Sequence, residues 1–264
     1  MKPSLLIVIP TYGHFVYAER AVRSALDNTT TFDPKIFVVD DATPDVKAWE
    51  SFKQQILPSN PSIITWRYPT NGGLTRSWNL GVQMARQHAD YCCVTNSDVV
   101  FAKGWDQEIF AGLLAGYSLV GPVTNAPGTV VMQHVGKYSE LYSPQLHETN
   151  MDAVQEELIE KHAGVFVETE LNGFCMVAST KTFVDNEYSR SLAFCPSNRF
   201  NSKGQLNPTP LMTLNESELQ RRWKRRGLKF AACIASYVYH YRAVSRGDAF
   251  KRGDWSRLET ERGQ

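Results

Sequence analysis

Tyr91-Cys92-Cys93-Val94-Thr95-Asn96-Ser97-Asp98-Val99-Val100-Phe101 reads as a buried strand that stops at three polar residues before a second apolar run. A carboxylate at the end of a central strand is badly placed for stability, because desolvating an unpaired charge is costly. In an open α/β sheet such an end faces the ligand cleft. Asp98 is therefore expected to meet something cationic, and a divalent metal carrying a diphosphate is the working expectation.

On the N-terminal side, Leu5–Ile9 and Lys35–Val39 are short apolar runs, as in parallel strands covered on both faces. Ile63–Tyr68 reads as a third strand. Between them, Ala18–Leu26, Val46–Ile56 and Leu74–Gln87 carry apolar residues at helical spacing. Three strand–helix alternations predict an α/β chain with a mostly parallel, doubly wound, Rossmann-like sheet. Thr11, Asp40, Asp41 and Asp98 then fall at strand ends on one edge. On the C-terminal side, Trp105–Leu114, Asp152–Lys161 and Glu216–Arg226 are expected helices, with Asn215 as the cap of the last. Leu119–Val123 and Lys229–Tyr241 are expected strands. Val165–Glu170 alternates and is read as continuing through Leu171–Ala178. Residues 124–150 are expected to form a long loop or lid. Residues 185–212 are irregular, and Asn207-Pro208-Thr209-Pro210 forbids a helix there.

The chain has 264 residues, 42% of them hydrophobic, which suits one large domain or two small ones. No apolar run reaches the roughly 18 residues of a membrane span. Met1–Pro10 lacks the length and the small-residue cleavage site of a signal peptide. Five cysteines, an odd number without a C-x-x-C pair, fit a reduced, cytoplasmic setting. Cys92 and Cys93 should point to opposite faces of their strand. The net charge of +1 hides an asymmetry. Residues 215–264 hold 12 Lys/Arg against 6 Asp/Glu, leaving 16 against 21 for residues 1–214. The plain reading of Arg221, Arg222, Lys224, Arg225 and Arg226 is the solvated face of a helix. The sharper one is a surface for an anionic partner, nucleic acid included.

Several segments together resemble family 2 glycosyltransferases of GT-A fold. They are Ile9-Pro10-Thr11-Tyr12, Val38-Val39-Asp40-Asp41-Ala42-Thr43-Pro44-Asp45, Asn71-Gly72-Gly73-Leu74-Thr75-Arg76, and Thr95-Asn96-Ser97-Asp98. Later come Asn172-Gly173-Phe174-Cys175-Met176, Asn215-Glu216-Ser217-Glu218-Leu219-Gln220-Arg221-Arg222 and Val238-Tyr239-His240-Tyr241. The resemblance spans roughly residues 4–245. Each segment is degenerate, and their order and spacing carry the match.

The resemblance implies inverting transfer of a sugar from a nucleotide donor, of UDP type, with Mn²⁺ or Mg²⁺ as cofactor. Pro10, Thr11, Tyr12, Asp40, Asp41, Asn71, Gly73, Arg76, Asn96 and Ser97 would contact the donor. Asp41, with or without Asp40, would accept from the uracil imide, and one of the two carboxylates would serve only an Asx turn. Asp98 and His240 would hold the metal. Asn172, Gly173 and Phe174 would line the acceptor. Glu216 would be the base and Glu218 the second candidate, although a helix N-terminus should favour the ionised form and lower basicity.

Residues 1–122 would form the donor half, 123–245 the acceptor and catalytic half, and 246–264 a charged tail. Two departures stand out. Asn96 replaces the first carboxylate of the D-x-D motif, and the usual catalytic Asp falls on Glu216 in one alignment and on Ser217 in another. They keep open a catalytically inactive module that binds nucleotide sugars. The acceptor is open among a saccharide, a lipid-linked sugar, a protein and a hydroxymethylated DNA base. A nucleotidyltransferase would need a Gly-rich, basic phosphate loop after the first strand, which Pro10-Thr11-Tyr12-Gly13-His14 lacks.

Overall fold

The structure, a computed structural model, describes residues 1–144, 147–196 and 215–241. The expected irregularity around residues 207–210 and the charged tail 246–264 lie outside the described residues. Strands β1 (Ser4–Thr11), β2 (Asp33–Asp40), β3 (Ile63–Arg67) and β4 (Tyr91–Thr95) alternate with helices α1 (Phe15–Asn28), α2 (Val46–Ile56) and α3 (Leu74–His88). Then follow β5 (Val99–Phe101), α4 (Asp106–Leu114) and β6 (Leu119–Val123). After short 3-10 turns come α5 (Met151–His162), β7 (Phe166–Glu168), β8 (Cys175–Ser179) and α6 (Thr180–Asp185). The last elements described are α7 (Asn215–Lys224) and β9 (Phe230–His240).

One sheet gathers these strands in the order β3-β2-β1-β4-β8-β6-β9-β5, with β7 also on β9. The pairs among β1 to β4 are parallel, as is β6 with β9, whereas β5, β7 and β8 run the other way. The sheet is thus α/β and mostly parallel, as its apolar strands require. Cys92 and Cys93 fall in separate cores on its two faces. Trp78, Phe183, Leu219 and Trp223 bring α3, α6 and α7 to one face, while Trp49, Phe52 and Ile109 bring α2 and α4 to the other. Fully burying each such side chain contributes about 1.5–3 kcal/mol. Helix α3 lies so close to β1 that a Cβ at Gly81 would overlap Val8.

Two expectations change here. Val165–Ala178 is not one strand: β7 pairs with β9 and β8 with β4, and Thr169–Phe174 crosses between them. The alternating pattern was local to each piece, and the break at Gly173 marks the crossover. Helix α6 went unforeseen because it is only six residues long, capped by Ser179, whose hydroxyl accepts the Thr182 N–H.

Candidate active site

Strands β1 and β2 end side by side, with Thr11 opposite Asp40. Asp40 is fully enclosed. Its carboxylate accepts the Thr43 N–H at 3.1 Å and the Thr43 hydroxyl, and Arg67 of β3 closes on its other oxygen. That is an Asx turn. Burial pushes the Asp40 pKa up, and Thr43 and Arg67 pull against that shift. The Thr43 hydroxyl in turn accepts the Gly13 N–H at 2.7 Å, so one carboxylate ties the loops after β1 and β2 together.

Asp41 is held by the turn before α3. It accepts the Gly72 N–H at 3.1 Å, the Gly73 N–H at 2.6 Å and the Arg76 guanidinium. Burial raises its pKa too, opposed by Arg76 and the two glycine N–H groups. Arg76 also lies over the Tyr68 ring, 3.6 Å from its centroid. Pro10 and Thr11 are buried and Tyr12 is half-buried at the mouth of these loops. Buried polar atoms remain here without hydrogen-bond partners: Asn71 Oδ1, Thr75 Oγ1, Arg76 Nε and Ser77 Oγ. They cluster at the start of α3, where the helix also leaves backbone N–H groups unsatisfied. A polar, anionic ligand suits such a set.

Asp98 and His240 meet although 142 positions separate them, because β5 and β9 pair with Val99 opposite His240. Asp98 Oδ1 lies 3.3 Å from His240 Nε2, and both side chains are buried. His240 Nδ1 lies 3.4 Å from the Ala126 carbonyl. Nε2 lies 3.2 Å from the Asn96 amide nitrogen and faces the carboxylate. A carboxylate and an imidazole so placed are groups of the kind that ligate divalent cations. Neighbouring ligands of an octahedral ion at about 2.1 Å lie about 3 Å apart, which the pair matches. Among the described residues no group of three or more His, Cys, Asp or Glu gathers to hold a metal. The pair therefore fits an ion whose other positions come from a ligand and water. Ser97 is buried beside it.

Two more residues fix His240. Its ring stacks on Phe174, centroids 5.5 Å apart and planes at 18°. The Asn125 side-chain amide accepts the His240 N–H at 2.8 Å and donates to the His240 carbonyl at 3.0 Å. Asn125 lies in the polar stretch after β6 and carries no sequence signal that would have found it.

Gly173 and Phe174 connect this pair to α7. A Cβ on Gly173 would lie 3.1 Å from Glu216 Cδ and from Trp78, tighter than an ordinary contact, so glycine leaves the carboxyl and the indole the room they use. Asn172 is fixed by its N–H, which donates to Gln133 at 2.7 Å. Glu216 is half-buried. Desolvation raises its pKa, against hydrogen bonds from its own N–H and that of Gly173. The expected drop in basicity at a helix start is thus overturned, because desolvation of the carboxyl outweighs those donors. Glu218 points elsewhere and pairs with Arg222 at 3.1 Å.

The solvated-face reading of the arginines also needs correction. Arg222 is half-buried and donates to the Asn186 and Ala193 carbonyls, and Arg226 reaches Asp185 and Asn186. The correction thus falls on Arg222, while Lys224, Arg225 and Arg226 are exposed. Asn215 is the first residue of α7 rather than its cap.

The mostly parallel strand order with its cleft at the strand ends is an α/β fold of GT-A type. The model of "Glycosyl transferase family 2" matches residues 6–152, more than half of the chain, and the chain belongs to that family. No curated protein sequence matches it. Among solved structures it is similar to a crystal structure of GalNAc-T7 with UDP, GalNAc and Mn²⁺. The TM-score is 0.66 at 14% identity, over 90% of this chain and 44% of that one. Among the described residues no helix is long and apolar enough to cross a membrane.

Proposed function

We propose that this chain transfers a sugar from a nucleotide-diphosphate donor, of UDP type, to an acceptor hydroxyl with inversion. The observation that carries the reading is the convergence of Asp98, His240 and Glu216 around the Gly173–Phe174 crossover. In this reading residues 1–122 hold the donor and residues 123–245 present the acceptor and the base. The start of α3 and Arg76 take the nucleotide. Asp98 and His240 hold a divalent cation, which when bound would stabilise the leaving diphosphate as a Lewis acid. Glu216 takes the acceptor's proton on its carboxylate, and desolvation makes it the stronger base. Gly173 leaves room for that carboxyl beside the acceptor segment.

Asn96 supports a second reading, a module that binds a nucleotide sugar without turning it over, since its amide is spent on His240. One experiment separates the two: hydrolysis of a nucleotide-sugar panel with Mn²⁺ or Mg²⁺. We expect Glu216→Gln to lose about 10²–10⁴-fold in turnover while still binding nucleotide. Asp98→Ala should lose the response to metal. Turnover in both variants equal to wild type would sink the site assignment. Binding without turnover in the wild type would establish the second reading.

A further inference from the structure

Beside the proposed base, at the first residue of α7, Asn215 is fully buried, and neither its amide nitrogen nor its amide oxygen has a hydrogen-bond partner. A side-chain amide brings two N–H donors and an acceptor oxygen. Leaving both ends of a buried amide unpaired is expensive, and buried amides elsewhere in this chain avoid it. Gln220, one turn along the same helix, donates to the Leu171 carbonyl and accepts the Leu171 N–H. Asn79 does the same with Phe194. Asn215 is the exception, and its neighbour Glu216 lies against Gly173, which Trp78 also approaches. Trp78 belongs to the first turns of α3, where Thr75 and Ser77 also keep buried, unpartnered hydroxyls. Unpaired polar groups thus mark both helix starts that Gly173 and Trp78 connect.

We infer that Asn215 is a specificity-determining residue whose amide hydrogen-bonds a hydroxyl of the sugar being transferred. A sugar hydroxyl is both donor and acceptor, so it matches an amide with both ends open. The inference rests on the nucleotide-sugar reading above and adds to it the group that tells a sugar donor from the bare nucleotide.

The test is calorimetric binding, with Mn²⁺, of UDP, dTDP and GDP and of their glucose, galactose and N-acetylhexosamine conjugates where these exist. Wild type is compared with Asn215→Leu and Asn215→Ser. We expect the variants to bind the bare diphosphate within twofold of wild type. For the best conjugate they should lose tenfold or more of its extra affinity. Melting temperature should hold or rise in Asn215→Leu, because no internal hydrogen bond is lost. Wild type that binds a diphosphate but gains nothing from any sugar overturns this inference alone. So do variants that keep the full sugar increment, and so does a melting temperature that drops in both variants with binding unchanged. Wild type that binds none of the diphosphates removes the underlying reading as well.

Discussion

The two walls of the cleft are stapled by different chemistry. On the N-terminal wall the staples are carboxylates. Asp40 and Asp41 hold the loops after β1, β2 and β3, and Asp106 of α4 accepts the N–H groups of Thr30, Thr31 and Phe32. On the C-terminal wall one carboxylate, Glu157, is joined by a set of neutral amides. Gln155 accepts the Tyr237 N–H and donates to the Ala235 carbonyl, and Gln133 bridges the Pro122 carbonyl to the Asn172 N–H. Gln220 and Asn125 clamp Leu171 and His240 in the same two-handed way. The difference follows from the backbone. Tight turns at the ends of regular strands present clusters of N–H donors, which a carboxylate satisfies. The crossover at Thr169–Phe174 and the register shift of β9 against β6 leave donor and acceptor orphaned together. Only an amide answers both. The charges of Asp40 and Asp41 meet Arg67 and Arg76, so the strand-end carboxylates are neutralised away from Asp98.

The largest expected effect tests whether the walls meet functionally. His240→Ala should cost at least about 100-fold in metal-dependent turnover, and Asn125→Ala about 10-fold through the shift of the His240 backbone. Equal turnover in both variants and wild type would separate the C-terminal wall from the chemistry. Next, Gln220→Leu should destabilise by about 2–3 kcal/mol in urea unfolding, because it strands the Leu171 N–H and carbonyl. A loss below about 0.5 kcal/mol would mean that the amide staples carry little.

Acid sharpens the contrast within the C-terminal wall. Glu157 accepts from Ser139, Glu140, Leu141 and Lys161, and these bonds outweigh its desolvation and lower its pKa from 4.5 to about 2. Its contribution is present above pH 4.5 and is lost as pH falls toward 2. Glu216 has the opposite sign. Its raised pKa means that the native state keeps the proton longer, so its contribution is present below 4.5 and is lost as pH rises through the folded value. Unfolding of Glu157→Gln and Glu216→Gln from pH 2 to 8 should therefore flatten opposite limbs of the stability profile. The smallest effect lies on the N-terminal wall. Ala42, directly after the two aspartates, has φ 64°, in the left-handed region. Ala42→Gly should stabilise by about 0.5–1 kcal/mol, read as a shift in urea midpoint.

Much of the fold was legible because apolar period alone separates buried strands from amphipathic helices. Leu5–Ile9, Lys35–Val39 and Leu74–Gln87 lie within β1, β2 and α3. The Val165–Ala178 reading failed because alternation reports a strand but not its partner, and β7 and β8 pair with different neighbours. At the site, Asp98 was legible as a carboxylate at a strand end, whereas Glu216 and His240 entered only through the resemblance to the family. Asn125, Gln133 and Gln155 were not legible, since an amide in a polar stretch shows nothing of the backbone it will clamp. Asp40 and Asp41 look alike in sequence, and only their neighbours make one an Asx-turn staple and the other the anchor of the α3 turn.

By itself the sequence determined a mostly parallel α/β sheet with polar groups at its strand ends, because side-chain period and strand-breaking residues are local properties. Tertiary structure decided which of those groups meet. The pairing of β5 with β9 brings His240 to Asp98 across 142 positions, and the missing side chain of Gly173 lets Glu216 approach. It also decided the basicity of Glu216. Desolvation depends on what packs around a carboxyl, and no local pattern encodes that.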